Sequence, residues 1–390
     1  MDVAALRRVL FDLYGTVRFP DVAALREADW DRLDALAGAT LLQPLLHVQH
    51  RGDTRIPAPI AARWQAAHRH AALRAMVREA EMRACVELLD AAGYRPIALK
   101  GAWLARHAYP EPAQRPMLDV DLLLDPETAL AAWDLLRQHG YSQPFAAELA
   151  LADLIRLDKH LPPLVAPRGT MFELHHRLWE LPGRLDHAAP TARDQVVRER
   201  AVTIEGIRFP CVEDMLAHLI VHATYSHRLD CGPRVLADVG FLLQREAIDW
   251  AAFWPRAAQE GWRDGARLVL EMVAASRAGV AIDFVPDTGK PVPPALRDDA
   301  VQLLFLEPER RASARFVAGT LKGGLATLTA RALGQRKAEG EASITRDMAS
   351  EGGRAGWITS RLSRVAGDLA DRDTRRQSGA LARLSRWFDA

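Results

Sequence analysis

The sequence predicts an α+β protein in which a small mixed β-sheet lies between helical regions at the two ends of the chain. Short apolar runs bounded by turn residues at 96–99 and 118–124, and an alternating run at 170–176, are typical of strands. Before residue 92 and after residue 212, apolar side chains recur mainly at helical spacing.

Composition restricts the class of protein. The 390 residues exceed what one ordinary core requires, so two or three structural units are expected. With 51 Lys and Arg against 50 Asp and Glu, the chain gives no strong nucleic-acid signal. Three separated cysteines without CxxC spacing favour a reduced compartment, and no apolar run approaches the roughly 18 residues of a membrane span. We therefore expect a cytoplasmic protein without a transmembrane segment.

Residues 1–92 form the predicted N-terminal helical region. Leucines recur at helical spacing, and the segment RGDTRIPAP at 51–59 interrupts the pattern. From Ile60 to Ala92 the Ala-rich pattern predicts one long helix or two shorter ones.

The predicted α/β core, residues 93–205, begins with a strand at 96–99. Lys100 and Gly101 then turn the chain into a helix from Trp103 to Ala108. A glycine there lets backbone N–H groups approach a phosphate, and an exposed Lys100 tip could add charge. The alternative is an ordinary turn with a solvated lysine.

Residues 109–118 form a proline-rich loop that leads into the second strand at 118–124. Arg115 could hold a phosphate at two points or pair with Glu111. Asp119 and Asp121 lie two apart in the strand, so their carboxylates project from the same face. Such a pair suits Mg²⁺ or Mn²⁺.

A capped helix is predicted from Asp125 to Gly140, followed by a strand at 170–176. Glu173 and His175 would share one face of that strand. His175 either orients an acceptor or pairs with Glu173.

Residues 206–285 form the predicted second helical domain. His218 and His222 lie four apart on one helix, and packing roles are favoured because the zincin glutamate is missing. Arg234 and Asp238 are also four apart, so an ion pair between them is expected.

The predicted C-terminal extension, residues 286–390, is helical and partly disordered. Residues 276–299 are interpreted as a linker, 303–333 as helical and 334–380 as a polar tail. An amphipathic face near Leu381 and Trp387 could dock on the protein itself, on a partner or on a membrane surface.

The core resembles the bacterial branch of uncharacterised nucleotidyltransferase-like proteins in the DNA polymerase beta-like superfamily. The resemblance covers roughly residues 85–275. It rests on Leu99-Lys100-Gly101, Tyr109-Pro110, Arg115, the run Asp119 to Leu124, and Phe172-Glu173-Leu174-His175. The superfamily commonly has serine or glycine after the glycine, whereas this chain has Ala102, so a hydroxyl contact to phosphate is missing.

The resemblance implies an enzyme that moves a nucleoside monophosphate from a nucleoside triphosphate to a hydroxyl, with Mg²⁺ or Mn²⁺. The acceptor could be a small molecule, a protein hydroxyl or an RNA end. The helical domain would wall the cleft. The implied roles are the metal and the chemistry for Asp119, Asp121 and Glu173, phosphate binding for Lys100, Gly101 and Arg115, and the acceptor side for His175 and Asp238.

Two other functions can be compared with the same residues. A non-catalytic protein could bind nucleotide or a partner through the same cleft. A kinase is excluded, because no Gly-rich loop precedes Ile97 to Lys100 and no HRD-type catalytic loop follows.

Overall fold

The fold is taken from a computed structural model that describes residues 1–144, 151, 155, 158–178, 192–307, 311 and 372–389. The chain divides into two compact units, Met1–Val292 and Pro293–Ala390. This division falls close to the expected start of the C-terminal extension at residue 286. The finer separation of residues 1–92, 93–205 and 206–285 stays a prediction.

Four helices precede the sheet. They are α1 (Val3–Tyr14), α2 (Glu27–Ala39), α3 (Gln43–Gln49) and α4 (Ala58–Ala91). The Asp2 side chain caps α1 by accepting the Ala5 N–H at 2.7 Å, which satisfies one of the free donors of the first turn. The Ala-rich segment forms one continuous helix, α4, and its proline at the start fits a position that needs no N–H partner.

The sheet has six strands. They are β1 (Ile97–Ala98), β2 (Asp119–Leu123), β3 (Leu164–Val165), β4 (Met171–His175), β5 (Val202–Ile204) and β6 (Ile207–Phe209). Their order across the sheet is β3-β4-β2-β1-β6-β5. β2 runs parallel to β4 and antiparallel to β1, and β1 runs parallel to β6, so the sheet is mixed as expected.

The strands β3, β5 and β6 were missed in the sequence, because each is only two or three residues long. The helix expected at Trp103–Ala108 also differs. It starts two residues earlier as α5 (Gly101–Trp103) and continues as a π-helical turn, Leu104–Ala108. A 3₁₀ turn, Pro112–Gln114, then leads to β2.

Helices cover and extend the sheet. They are α6 (Ala129–Gln138), α7 (Ala192–Glu199), α8 (Val212–Val221), α9 (Arg234–Arg245), α10 (Trp250–Glu260) and α11 (Arg263–Ser276). A π-helical turn, His222–Ser226, extends α8. The Tyr14 hydroxyl donates to the Pro233 carbonyl oxygen at 2.9 Å and so ties α1 to the start of α9. The α+β architecture with flanking helices is confirmed.

The second unit contains α12 (Pro294–Leu304) and α13 (Arg372–Phe388), which pack against each other. The linker expected at 276–299 is wrong at its end, since Pro294 occupies the first turn of a helix rather than breaking one. The polar tail expected at 334–380 is likewise wrong from residue 372, where α13 begins. Of the helix expected at 303–333, the described residues are helical at 303, 304 and 311, with a break at 305–307. The remainder of both segments lies outside the described residues.

Leu384 and Phe388 of α13 are buried. Part of the expected amphipathic face is therefore covered within this unit. In the portion of the chain described here, no helix combines the length and apolar character needed to cross a membrane.

Candidate active site

The candidate site lies where β2 and β4 run side by side in parallel. In their register Asp121 is opposite Glu173, and Leu123 is opposite His175. Because alternate residues of a strand share a face, Asp121, Glu173 and His175 all project to the same side of the sheet. The alternation read from the sequence placed these side chains on a common face, and the parallel pairing brings them together.

Asp121 is the central carboxylate of this group. Its Oδ1 lies 2.8 Å from His175 Nε2, and its Oδ2 lies 3.1 Å from Lys100 Nζ. Burial favours the neutral acid, but the Lys100 ammonium and the His175 imidazole outweigh it and hold the pKa of Asp121 well below its ordinary value. Asp121 is therefore an ionised carboxylate inside the protein.

Glu173 faces two imidazoles. Its Oε2 lies 3.6 Å from His175 Nε2 and 3.9 Å from His160 Nε2. Burial opposes ionisation, but the nearby imidazoles of His175 and His160 lower the pKa of Glu173 below its ordinary value. His160 was left without a role in the sequence, because nothing in its spacing indicated that its loop would pair with β4 through a bridge to His175.

His175 is buried between the two carboxylates. Burial would lower its pKa, but the hydrogen bond to Asp121 and the nearby Glu173 carboxylate raise the pKa of His175 above the ordinary histidine value. The expected pairing of His175 with Glu173 is therefore present, and Asp121 lies closer to it than Glu173 does.

These three residues could hold a metal ion. One ligand atom from each of Asp121, Glu173 and His175 lies within 4.8 Å of the others, and no other such group occurs within the described ranges. Two carboxylates and one imidazole are a donor set that divalent metals accept, so the residues fit a cation. Asp119 shares their face of β2 but lies outside this group. Burial and the negative charges of Asp121 and Glu173 raise its pKa.

Lys100 differs from the exposed cation expected from the sequence. Its side chain is only 12% exposed and points to Asp121, and its backbone has a φ of 40° and a ψ of −105°. This conformation is sparsely populated for a residue that carries a Cβ. The turn between β1 and α5 thus aims the ammonium group at the carboxylates.

Gly101 follows in the first turn of α5. A Cβ at this position would overlap the Arg115 guanidinium and the Met117 sulfur. The glycine is therefore required by the close approach of the loop that precedes β2.

Arg115 pairs with Asp238 of α9. Nε lies 2.7 Å from Oδ1 and Nη2 lies 2.8 Å from Oδ2, while the Tyr109 hydroxyl donates to Oδ1 at 2.7 Å. The two ion pairs expected from the sequence, Arg115 with Glu111 and Arg234 with Asp238, are not formed. Glu111 is paired with His68 instead, and Arg234 donates to the Pro116 carbonyl oxygen.

His218 and His222, on α8 and its π-helical turn, form one wall of the site. Burial and the nearby Lys100 ammonium depress the pKa of both well below the ordinary value, so both are neutral. His222 interacts electrostatically with Asp121, which places it near the carboxylates. Its proximity depends on tertiary packing, which the helical spacing could not indicate.

No curated protein and no solved structure matches the chain. Residues 26–276 match the family described as an uncharacterised nucleotidyltransferase, and they span more than half of the sequence. The matched range includes β2, β4, the Lys100 turn and both site histidines of α8. The chain therefore belongs to this nucleotidyltransferase family.

Proposed function

We propose that this protein transfers a nucleoside monophosphate from a nucleoside triphosphate to a hydroxyl acceptor, with Mg²⁺ or Mn²⁺ at the carboxylates. The proposal depends on one observation: Asp121, Glu173 and His175 lie close together on two parallel strands, and the ammonium group of Lys100 contacts Asp121. Membership of a nucleotidyltransferase family supports it.

Asp121 and Glu173, with His175 or Asp119, would hold the cation. A divalent cation bound there would neutralise phosphate charge and orient the leaving pyrophosphate. Asp119 belongs to the proposal because it lies on the same face of β2 and interacts electrostatically with Asp121 and Glu173. Its raised pKa also fits a site that binds positive charge, since a cation would favour its ionised form.

Lys100, Gly101 and Arg115 would bind the phosphates. Nε and Nη2 of Arg115 are taken by Asp238, but Nη1 lies beside the Gly101 turn. A phosphate at this turn would meet Nη1, the Lys100 ammonium and the backbone near Gly101. Asp238 would act on the acceptor side only indirectly, by fixing Arg115.

Glu173 is suited to receive the proton of the attacking hydroxyl. It is partly exposed, it has a lowered pKa, and its neighbour His175 has a raised one. An ionised carboxylate beside a protonated imidazole can accept a proton, whereas that imidazole cannot. His175 would therefore hold Glu173 and Asp121 in place.

The experiment is a measurement of pyrophosphate release with ATP, GTP, CTP and UTP, with Mg²⁺ or Mn²⁺, with and without desalted cell extract as the source of acceptor. Asp121→Asn and Glu173→Gln should each abolish release while circular dichroism shows an intact fold. Asp134→Asn, on an exposed position of α6, is the matched control and should release pyrophosphate normally. Release that survives both site substitutions would overturn the proposal.

A second candidate function is nucleotide or partner binding without chemistry. The observation that favours it is that Lys100 and His175 occupy both oxygens of Asp121, the carboxylate a metal would need most. Under this alternative the wild-type protein binds nucleotide in a calorimetric titration but shows no metal-dependent turnover with any triphosphate or extract.

A further inference from the structure

A cavity separate from the carboxylate group lies between α4 and the segment from α5 to the loop before β2. Its volume is about 430 Å³, within the range of small-molecule sites. Alanine and methionine side chains form most of its wall, including Ala75, Met82, Ala102, Ala105 and Met117. The mouth is also apolar, since Met76 lines it and is 71% exposed.

The charged side chains of the wall are paired with one exception. Glu79 forms ion pairs with Arg106 and Arg83, and Glu111 pairs with His68 at 2.9 Å. These pairs cancel their own charges, so they add no net attraction for a ligand.

The exception is Arg78. This residue of α4 is only 5% exposed, yet its Nε is buried without a hydrogen-bond partner, and within the described residues its guanidinium forms no ion pair. Glu81, a neighbouring acid, instead accepts the backbone N–H groups of Arg168 and Thr170. The charges of Asp119 and Glu81 act on Arg78, but neither carboxylate is bonded to it. A buried guanidinium without a bonded acid is unfavourable, so its donors are available to an added anion.

We propose that this cavity binds a small amphipathic molecule that has an apolar body and a single anionic head group, a carboxylate or a phosphate monoester, which pairs with Arg78. The apolar wall would cover the body, and the planar guanidinium would bind the head group at two points. The wall of the cavity contains none of the residues proposed to hold the metal or the triphosphate, and the proposed ligand takes no part in the transfer reaction.

The proposal is tested by equilibrium binding of octanoate to the full chain without nucleotide or metal, so that its outcome is independent of the transfer reaction. Octyl phosphate, 1-octanol and acetate are the comparison probes. Octanoate or octyl phosphate should bind at least about tenfold more tightly than 1-octanol or acetate, because only they offer both an anion and an apolar body. Whichever of octanoate and octyl phosphate binds more tightly identifies the head group as a carboxylate or a phosphate monoester.

Substitutions then assign the site. Arg78→Met should weaken binding about tenfold or more and should raise the melting temperature of the free protein, because it removes an unpaired buried charge. Ala75→Leu should block binding by filling the cavity while preserving the helix. Arg69→Met is the matched control, since Arg69 is an exposed arginine of the same helix that does not line the cavity, and it should leave affinity unchanged.

Arg78→Lys is the second test, and it is used if Arg78→Met does not fold. It keeps the charge but not the two-point geometry, so binding should persist at reduced affinity. Equal binding of octanoate and 1-octanol would overturn the proposal. Unchanged affinity in Arg78→Met or Ala75→Leu, or a wild-type protein that binds neither anionic probe, would overturn it as well.

Discussion

Arg115 and Asp238 form a buried ion pair with two contacts, of 2.7 and 2.8 Å, that joins the loop before β2 to α9. The two residues are 123 positions apart in sequence, so the pair fixes the helical part of the first unit against the sheet. It also holds the guanidinium beside the Gly101 turn.

The first prediction concerns this pair. Asp238→Ala should lower the free energy of unfolding by about 3 to 5 kcal/mol, because it leaves a buried guanidinium without its partner. Urea unfolding measures the change. The double variant Arg115→Met with Asp238→Leu should recover much of the loss. Arg18→Ala, which breaks the exposed pair with Asp12, is the control and should have little effect. An equal loss of unfolding free energy in Asp238→Ala and in the control variant would contradict the structural role of the pair between Arg115 and Asp238.

The second prediction concerns Gly101. Gly101→Ala should destabilise the protein by about 1 to 3 kcal/mol and weaken nucleotide binding, since the added Cβ overlaps Arg115 and Met117. Gly38→Ala is the matched control, because Gly38 lies inside α2 and a Cβ there would be 3.4 Å from its nearest neighbour. That variant should gain up to about 1 kcal/mol from helix propensity. Thermal melts and calorimetric titration with ATP report both effects.

The third prediction concerns the metal. Imidazole is a softer ligand than carboxylate, so the group Asp121, Glu173 and His175 should bind Mn²⁺ more tightly than Mg²⁺. His175→Gln should reduce the Mn²⁺ affinity about tenfold or more and the Mg²⁺ affinity less. Mn²⁺ affinity in the wild type should also rise as the pH increases above about 6.5, because the metal must displace a proton that His175 retains to a higher pH than an ordinary histidine does. Electron paramagnetic resonance of free Mn²⁺ follows the binding.

An equal loss of Mg²⁺ and Mn²⁺ affinity in His175→Gln would contradict the assignment of His175 as a ligand and would indicate that it only positions the carboxylates.

The fourth prediction concerns acid stability. Burial and the nearby Arg177 lower the pKa of His176 to about 4, so the unfolded chain takes up this proton at a higher pH than the folded protein does. The stabilising contribution is therefore complete above about pH 6.5 and is lost as the pH falls towards 4. At pH 5 the loss should be at most about 2 kcal/mol.

Urea unfolding between pH 7 and pH 5 tests this expectation. His176→Met should flatten the dependence, whereas His139→Met, at the exposed position that follows α6, should leave it unchanged. His218 and His222 have pKa values shifted in the same direction, so part of the slope should remain in His176→Met. A slope equal to that of the wild type would contradict the prediction.

The sequence indicated those parts of the fold that have a local cause. The alternation in β2 and β4 predicted both strands and the common face of Glu173 and His175, and the Ala-rich pattern predicted α4. The short strands β5 and β6 carry too few residues for a period to be visible. Pro294 was interpreted as part of a linker because a proline before a helix and a proline in a loop have the same local signature.

The candidate site was likewise predictable only where its residues have a local sequence pattern. Asp119, Asp121, Glu173 and the pairing of Glu173 with His175 could be proposed from spacing and resemblance, but the other partners could not. His160 reaches Glu173 from a loop, and Asp238 reaches Arg115 from 123 residues away, so both contacts arise only from the tertiary fold. The expected exposure of Lys100 was wrong for the same reason, since only the folded turn aims its ammonium group at Asp121.

The backbone of Lys100 has a further consequence. At a φ of 40° glycine is the residue that the turn alone would favour, because it has no Cβ to strain the backbone. The ammonium group of Lys100, however, is the partner that keeps the buried Asp121 ionised. Backbone strain and a buried ion pair therefore oppose each other at this position. Lys100→Gly should relax the turn and yet lower the melting temperature, because it leaves the buried carboxylate of Asp121 without its ammonium partner.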